Sequence, residues 1–315
     1  MLLMTKYYCL LFLFFLSCNE KSKEKPITKV APKSEIVAKN VLKLYDTTNK
    51  FWALQTITKP FPKPQKGDWQ AIHEESGQTF IDYLNCKPRI INEVRRKIYL
   101  LPLGNFSKKD DILLLKMTKN YMAIFFDVEV IMQKTQSLKI IPKKSRRYGG
   151  KGLQIQTGYI LYQILEKNLP KDAVAYMAIT TADLFPSEQW NFVFGIANTE
   201  KRIAVTSFYR FKSYHGDSLD IPLSFNRLAQ TSVHETGHMF SLLHCIYFDC
   251  IMNGSNSLAE SDAQSLFPCP ICTAKLNVAI PANMTKKYKA MQLFFEKYGM
   301  KKEATYCQKA CTLLK

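Results

Sequence analysis

The sequence predicts an α/β fold, a mixed twisted sheet with helices packed on it. Three observations predict it: strand-length apolar runs, helix-patterned segments between them, and a length of 315 residues, ample for one catalytic-sized domain with appendages. The runs at 98–103, 173–179 and 203–208 are rich in branched or aromatic residues, as strands buried in a sheet require. Helical patterning covers 112–120 and 157–167, the second closing at Pro170.

The elements follow in chain order. MLLMTKYYCLLFLFFLSC opens with Lys6 and an apolar run from Tyr7 to Leu16. That run is too short to span a bilayer, so it reads as a cleaved export signal, residues 1–17. Ser17-Cys18 at its end resembles the bacterial lipobox, with Phe15 where leucine is usual. By that resemblance Cys18 becomes the lipidated first residue of the mature chain. Residues 19–36 are polar, with lysine and proline and little to bury, and read as a flexible tether within an N-terminal extension, 18–59. The expected location is the cell envelope, outside the cytoplasm, with the chain held to a membrane by its lipid.

HETGHMFSLLHC, residues 234 to 245, holds three of the chain's 5 histidines. His234 and His238 are four apart, so on a helix their rings stack on one face and reach one metal ion at about 2.0–2.1 Å. Glu235 stands beside that face, able to accept a proton from water without taking a coordination position. His244 lies six residues past His238. A continuing helix would carry it about 120° off the face, at roughly 100° per residue. It joins the other two only if the helix ends near Ser241 and the chain turns back. Behind it Cys245, Cys250, Cys269 and Cys272 run as C-x4-C, a spacer and C-x2-C, the pattern of two close pairs that build a tetrahedral four-cysteine zinc site. Met252 sits two residues past Cys250, where its side chain can form an apolar floor under the histidines.

This layout closely resembles the archaemetzincins, metalloproteases of the metzincin clan. Their core reads H-E-x-x-H-x-x-G-x-x-H-C with a trailing C-x4-C-x-M and C-x-x-C. The resemblance implies a metzincin-like fold and two zinc ions per chain. His234, His238 and His244 would bind the catalytic ion, with Glu235 as general base. Cys245, Cys250, Cys269 and Cys272 would hold a structural ion, and Met252 would be the Met-turn residue. Ser241 departs from the pattern, which has glycine there. A left-handed turn suits glycine, and another residue costs on the order of 1–2 kcal/mol. Further likeness runs through 63–85, 97–106, 125–133 (read as a strand), 146–185 and 191–211 (read as a strand pair), so a metalloprotease domain is assigned to 60–280.

Disulfides compete with zinc outside the cytoplasm. Bridges inside C-x2-C or C-x4-C, however, close very small loops and add little order, so zinc is expected. Cys307 and Cys311 read as packed helix residues in a C-terminal helical hairpin, 281–315, in which Met284, Tyr288, Met291, Phe295 and Tyr298 make an apolar stripe. Gly299 is the expected stop between its helices. Cys86 reads as a small buried apolar group, and His73 and His215 as ordinary polar residues.

The net charge is +18, but the lysines are dispersed and lack interleaved aromatics. A solvated basic surface is therefore expected, with no nucleic-acid partner. The resemblance implies a peptide or protein substrate, and a monomer is expected. Two other functions fit fewer residues: a zinc-stabilised binding lipoprotein without turnover, and a metal-binding or nucleic-acid-contacting envelope protein. Neither has a use for Glu235.

If Cys18 is acylated, Cys18→Ala abolishes acyl labelling and releases the protein from membranes. Unchanged labelling of that variant would rule the anchor out.

Overall fold

The computed structural model describes residues 50–149 and 152–315; Cys18, the signal and the tether lie outside them. Among the described residues no helix is long and apolar enough to cross a membrane.

The main sheet has five strands: β1 (Lys97–Leu103), β2 (Glu129–Met132), β5 (Ala173–Thr180), β7 (Gly195–Asn198) and β8 (Ile203–Ser207). Their order is β2-β1-β5-β8-β7. The first four pair in parallel, and β7 closes the edge antiparallel to β8. The sheet is thus mixed, as the sequence predicts. All eight residues of β5 are buried, the signature of a parallel strand covered on both faces. A smaller sheet joins β3 (Arg146–Gly149), β4 (Gly152–Gln156) and β6 (Asp183–Phe185), and β9 (Tyr214–His215) pairs with β10 (Ser218–Leu219).

Three expected boundaries move. The helix foreseen at 112–120 runs from Lys109 to Phe126, and it consumes the start of the strand read at 125–133. Phe125 and Phe126 are buried on it, and Asp127 at φ 50° flips the chain into β2. Burial of two aromatic rings decides this against strand propensity. The helix foreseen at 157–167 is a π-helix, Tyr159–Leu165, continued by a 3-10 turn, Glu166–Asn168. Lys50–Ile57, read as part of the extension, forms a 3-10 helix with Phe51 and Leu54 buried. Next to it Asp249 N–H donates to the Lys59 carbonyl.

The remaining helices, numbered with the one at Lys109–Phe126 as α3, are α1 (Trp69–Ile72), α2 (Phe80–Asn85), α4 (Ile221–Met239), α5 (Leu258–Ala263), α6 (Pro270–Ala279), α7 (Met284–Lys297) and α8 (Lys301–Leu313). Helix α4 packs on β5, β7, β8 and α3. It starts at Asp220, whose side chain accepts the Leu223 N–H, followed by a proline in the first turn. Helices α7 and α8 make the expected hairpin, turning at Gly299 with φ +71°. Their inner face is Met284, Tyr288, Met291 and Phe295, with Tyr298 half-buried at the rim. Tyr121 of α3 meets Phe294 and Phe295, so the hairpin is part of the same core.

Candidate metal centres

Helix α4 carries His234 and His238 one turn apart, with their Nε2 atoms 3.0 Å from each other. The helix then ends as the sequence requires. Ser241 N–H donates to the His238 carbonyl, Leu242 N–H reaches back to Gly237, and Ser241 itself is left-handed at φ 69°. That pair of bonds is a Schellman motif. It returns His244, whose ring centroid lies 5.2 Å from His234 and 5.1 Å from His238. One ring nitrogen from each of the three lies within 4.8 Å of the others.

Serine is held in the strained conformation by neighbours. Its hydroxyl accepts the Arg89 N–H and its carbonyl accepts Gln78 Nε2–H. The Tyr83 hydroxyl donates to the adjacent Phe240 carbonyl. At about 0.5–1.5 kcal/mol each, these bonds offset the left-handed penalty.

The outer nitrogens decide what the inner ones can do. His234 Nδ1 is 2.8 Å from the Ile251 carbonyl, His238 Nδ1 is 2.7 Å from the Leu242 carbonyl, and His244 Nδ1 is 2.9 Å from both oxygens of Glu75. Carbonyls and carboxylates only accept, so each Nδ1 carries the proton and each Nε2 presents a lone pair. Two lone pairs 3.0 Å apart repel unless a cation lies between them. Burial keeps the two helix rings neutral: His234 is pushed well below its usual value and His238 down to about 4, each first by desolvation and then by the neighbouring imidazoles. The donor set therefore fits a zinc ion held by three neutral imidazoles.

Glu235, next to His234 on α4, is buried. Desolvation pushes its carboxyl up to about 8. A Cβ on Gly195 of β7 would come within 2.8 Å of its Oε1 and 2.9 Å of its Cγ, so the glycine leaves room for this side chain. Gly237, inside α4, faces Met252, whose Sδ would be 2.5 Å from an added Cβ. The Met252 side chain thus lies against the helix that carries His234 and His238.

The four cysteines are buried together and their sulfurs lie within 4.8 Å of one another, with Cys245 Sγ 3.7 Å from Cys269 Sγ. Tetrahedral zinc with Zn–S of about 2.3 Å separates its sulfurs by about 3.8 Å. Backbone N–H groups of Met252 and Cys269 point at Cys250 Sγ, and that of Cys272 at Cys269 Sγ, the first turn of α6. Such donors favour thiolates. Burial pushes the Cys250 and Cys269 thiols up, while bonds from the other three sulfurs pull Cys245 down. These groups fit a second zinc.

The sequence reading missed Glu75. It lies 169 residues from His244 and has no spacing signal that could reveal it. Burial raises its carboxyl, but the hydrogen bond from His244 outweighs this and holds it below its usual value. His73 lies outside the ligand set. Its ring lies 4.1 Å from the Trp69 ring, which stands edge-on 5.1 Å from His244. Cys86 is exposed rather than buried, with its thiol donating to the Tyr83 carbonyl. Cys307 is buried in α8 and Cys311 partly so, while His215 is an exposed partner of Asp220.

A profile of Peptidase family M54 matches residues 159–278. The chain is 31% identical to "Archaemetzincin-2" of Rattus norvegicus over 272 residues, covering 76% of each chain. It is 35% identical to the archaemetzincin of Thermococcus kodakarensis over 124 residues, 39% of this chain and 66% of that one. The crystal structure of archaemetzincin from Archaeoglobus fulgidus complexed with malonate aligns with a TM-score of 0.46 at 26% identity, covering 57% of this chain and 99% of that one.

Glu75 is expected to set the orientation and basicity of His244. Glu75→Gln should weaken metal binding at the histidine site by about 10- to 100-fold, read by chelator competition, with the cysteine site unaffected. Unchanged affinity would show that the carboxylate is incidental.

Proposed function

We propose a role for each residue of the site from one premise: the chain belongs to the archaemetzincin family and is a zinc metallopeptidase. His234, His238 and His244 hold the catalytic ion through Nε2. Glu75 and the carbonyls of Ile251 and Leu242 orient them. The observation that carries this assignment is the set of three Nδ1 atoms, each occupied by an oxygen acceptor, with three Nε2 lone pairs converging. Ser241 adopts the conformation that glycine would, so the reading of a fold kept without turnover loses its main support.

A zinc ion held by these three histidines would supply a water molecule with a pKa of about 7 and polarisation of the carbonyl of the bond to be cut. Glu235 is the general base. Its carboxylate takes a proton from the attacking water and delivers it to the leaving amine nitrogen. Burial strengthens it as a base, and a cation on the imidazoles acts in the opposite direction, so the group both accepts and returns a proton near neutral pH. Met252 underlies the histidines. Cys245, Cys250, Cys269 and Cys272 hold the structural ion.

Strand β8 is paired on both sides, whereas β7 pairs only with β8 among the described strands. An extended peptide added along the free edge of β7 would run past Gly195 and hence past Glu235. The lipid anchor on Cys18 and an extracytoplasmic envelope location belong to the same proposal and rest on the N-terminal sequence.

Three variants test the roles with metal analysis, a melting curve and a peptide-cleavage assay. Glu235→Gln retains two zinc ions and the fold but loses hydrolysis. Cys269→Ser destabilises the domain and lowers metal content with the histidines intact, because a structural zinc contributes directly to folding. Gly195→Ala displaces the Glu235 carboxylate and lowers turnover by about 100-fold, with both metals retained. Full cleavage by Glu235→Gln would refute the base, and one zinc per wild-type chain would refute the two-site assignment.

A further inference from the structure

A buried amide links the helix that follows Cys269 to the turn that returns His244. Gln78 is 5% exposed. Its Nε2 donates to the Ser241 carbonyl at 3.2 Å, and its Oε1 accepts the Leu243 N–H at 3.2 Å. Both partners belong to the turn between His238 and His244. The same Oε1 accepts from Lys275 Nζ at 3.1 Å, and the Gln78 carbonyl accepts from that ammonium at 2.5 Å.

Lys275 is 2% exposed and sits on α6, three residues past Cys272. A buried ammonium is costly, and an apolar side chain of similar volume would serve packing better. Its chemistry supplies something packing does not. A glutamine amide has two orientations that exchange a donor for an acceptor. Lysine can only donate, so Lys275 fixes Oε1 toward itself and toward Leu243 N–H. Nε2 is then left facing the Ser241 carbonyl, the one orientation that holds both sides of the left-handed residue.

We infer that Gln78 and Lys275 are positioning residues that set the turn carrying His244, and so tune metal affinity at the histidine site. The inference rests on His244 being the third ligand. The relay runs from the helix of the cysteine centre, through one ammonium and one amide, to the backbone on either side of Ser241.

The test uses the full chain loaded with cobalt, whose histidine site gives weak visible bands and whose cysteine site gives intense sulfur-to-metal charge-transfer bands. Gln78→Leu and Lys275→Met should shift the weak bands and lower the affinity of the histidine site about 10-fold, leaving the charge-transfer bands unchanged. Gln78→Glu keeps the acceptors for Lys275 and Leu243 N–H and should recover part of the loss. Wild-type spectra and affinity in Gln78→Leu would overturn the inference. If that variant does not fold, Lys275→Met and Gln78→Glu decide by the same readouts. Failure of all three to fold would also overturn it, since the network would then support the whole domain rather than the turn. Metal bound only at the cysteines in the wild type would instead refute the ligand role of His244. Two metals in the wild type with unaltered variants would refute only the relay.

Discussion

One peptide bond ties the two metal centres together. His244 belongs to the imidazole cluster and Cys245 to the thiol cluster, so consecutive side chains must point to opposite sides of the chain. Successive Cα atoms across a trans peptide are 3.80 Å apart, which leaves almost no slack between the two sites. Everything upstream must deliver the chain to His244 at the right angle, and everything downstream must close around Cys245. The left-handed Ser241 meets the first demand. Asn253 meets the second: its side chain donates to the Cys245 carbonyl and accepts the Cys250 N–H, while Cys245 N–H donates to the Met252 carbonyl. The segment from Cys245 to Asn253 is thus a loop closed by its own hydrogen bonds and tied outward by Asp249 N–H to the Lys59 carbonyl and Ile251 N–H to the Phe267 carbonyl.

That loop also serves the histidines. The Ile251 carbonyl accepts from His234, and Met252 lies against Gly237. A change at the cysteine cluster therefore reaches His234 through Ile251 and His244 through Cys245. The structural centre acts as the rigid support that a ligand set needs if its geometry is to be held to a fraction of an ångström. Neutral imidazoles on one side and sulfurs facing backbone N–H groups on the other keep the two sites chemically distinct despite their adjacency.

Much of this was legible in the sequence, for a physical reason: the informative residues are local. His234 and His238 are related by one helical turn, and the cysteines come in close pairs. The runs that became β1, β5 and β8 are apolar enough to be read as buried strands. Other features were hidden because long-range contact leaves no periodic trace. Glu75, Gln78 and Lys275 meet the site only after the chain has folded around it. Gly195 earns its meaning from a glutamate forty residues away. The strand read at 125–133 began late because two phenylalanines were claimed by the aromatic core beside α3. Lys50–Ile57 was assigned to the extension because a single short apolar cluster does not announce what it packs against.

The two glycines nearest the chemistry show how the site shapes the scaffold rather than the reverse. Gly237 sits in the last turn of α4, where alanine would favour the helix by about 1 kcal/mol. A strand glycine such as Gly195 is likewise weaker than a residue with a side chain to pack. Each lacks a Cβ at a point where one would meet a group central to the proposed chemistry: Met252 Sδ in the first case and the Glu235 carboxylate in the second. Local propensity is therefore overruled at the positions where the helix and the edge strand approach the metal centre. Serine at 241 reverses the same logic. There a non-glycine residue accepts backbone strain, and its hydroxyl and carbonyl recruit Arg89 and Gln78 to hold it. The consequence is that stability in this region comes from contacts across the fold and not from the elements themselves, which places the N-terminal segment from Trp69 to Arg89 inside the functional unit.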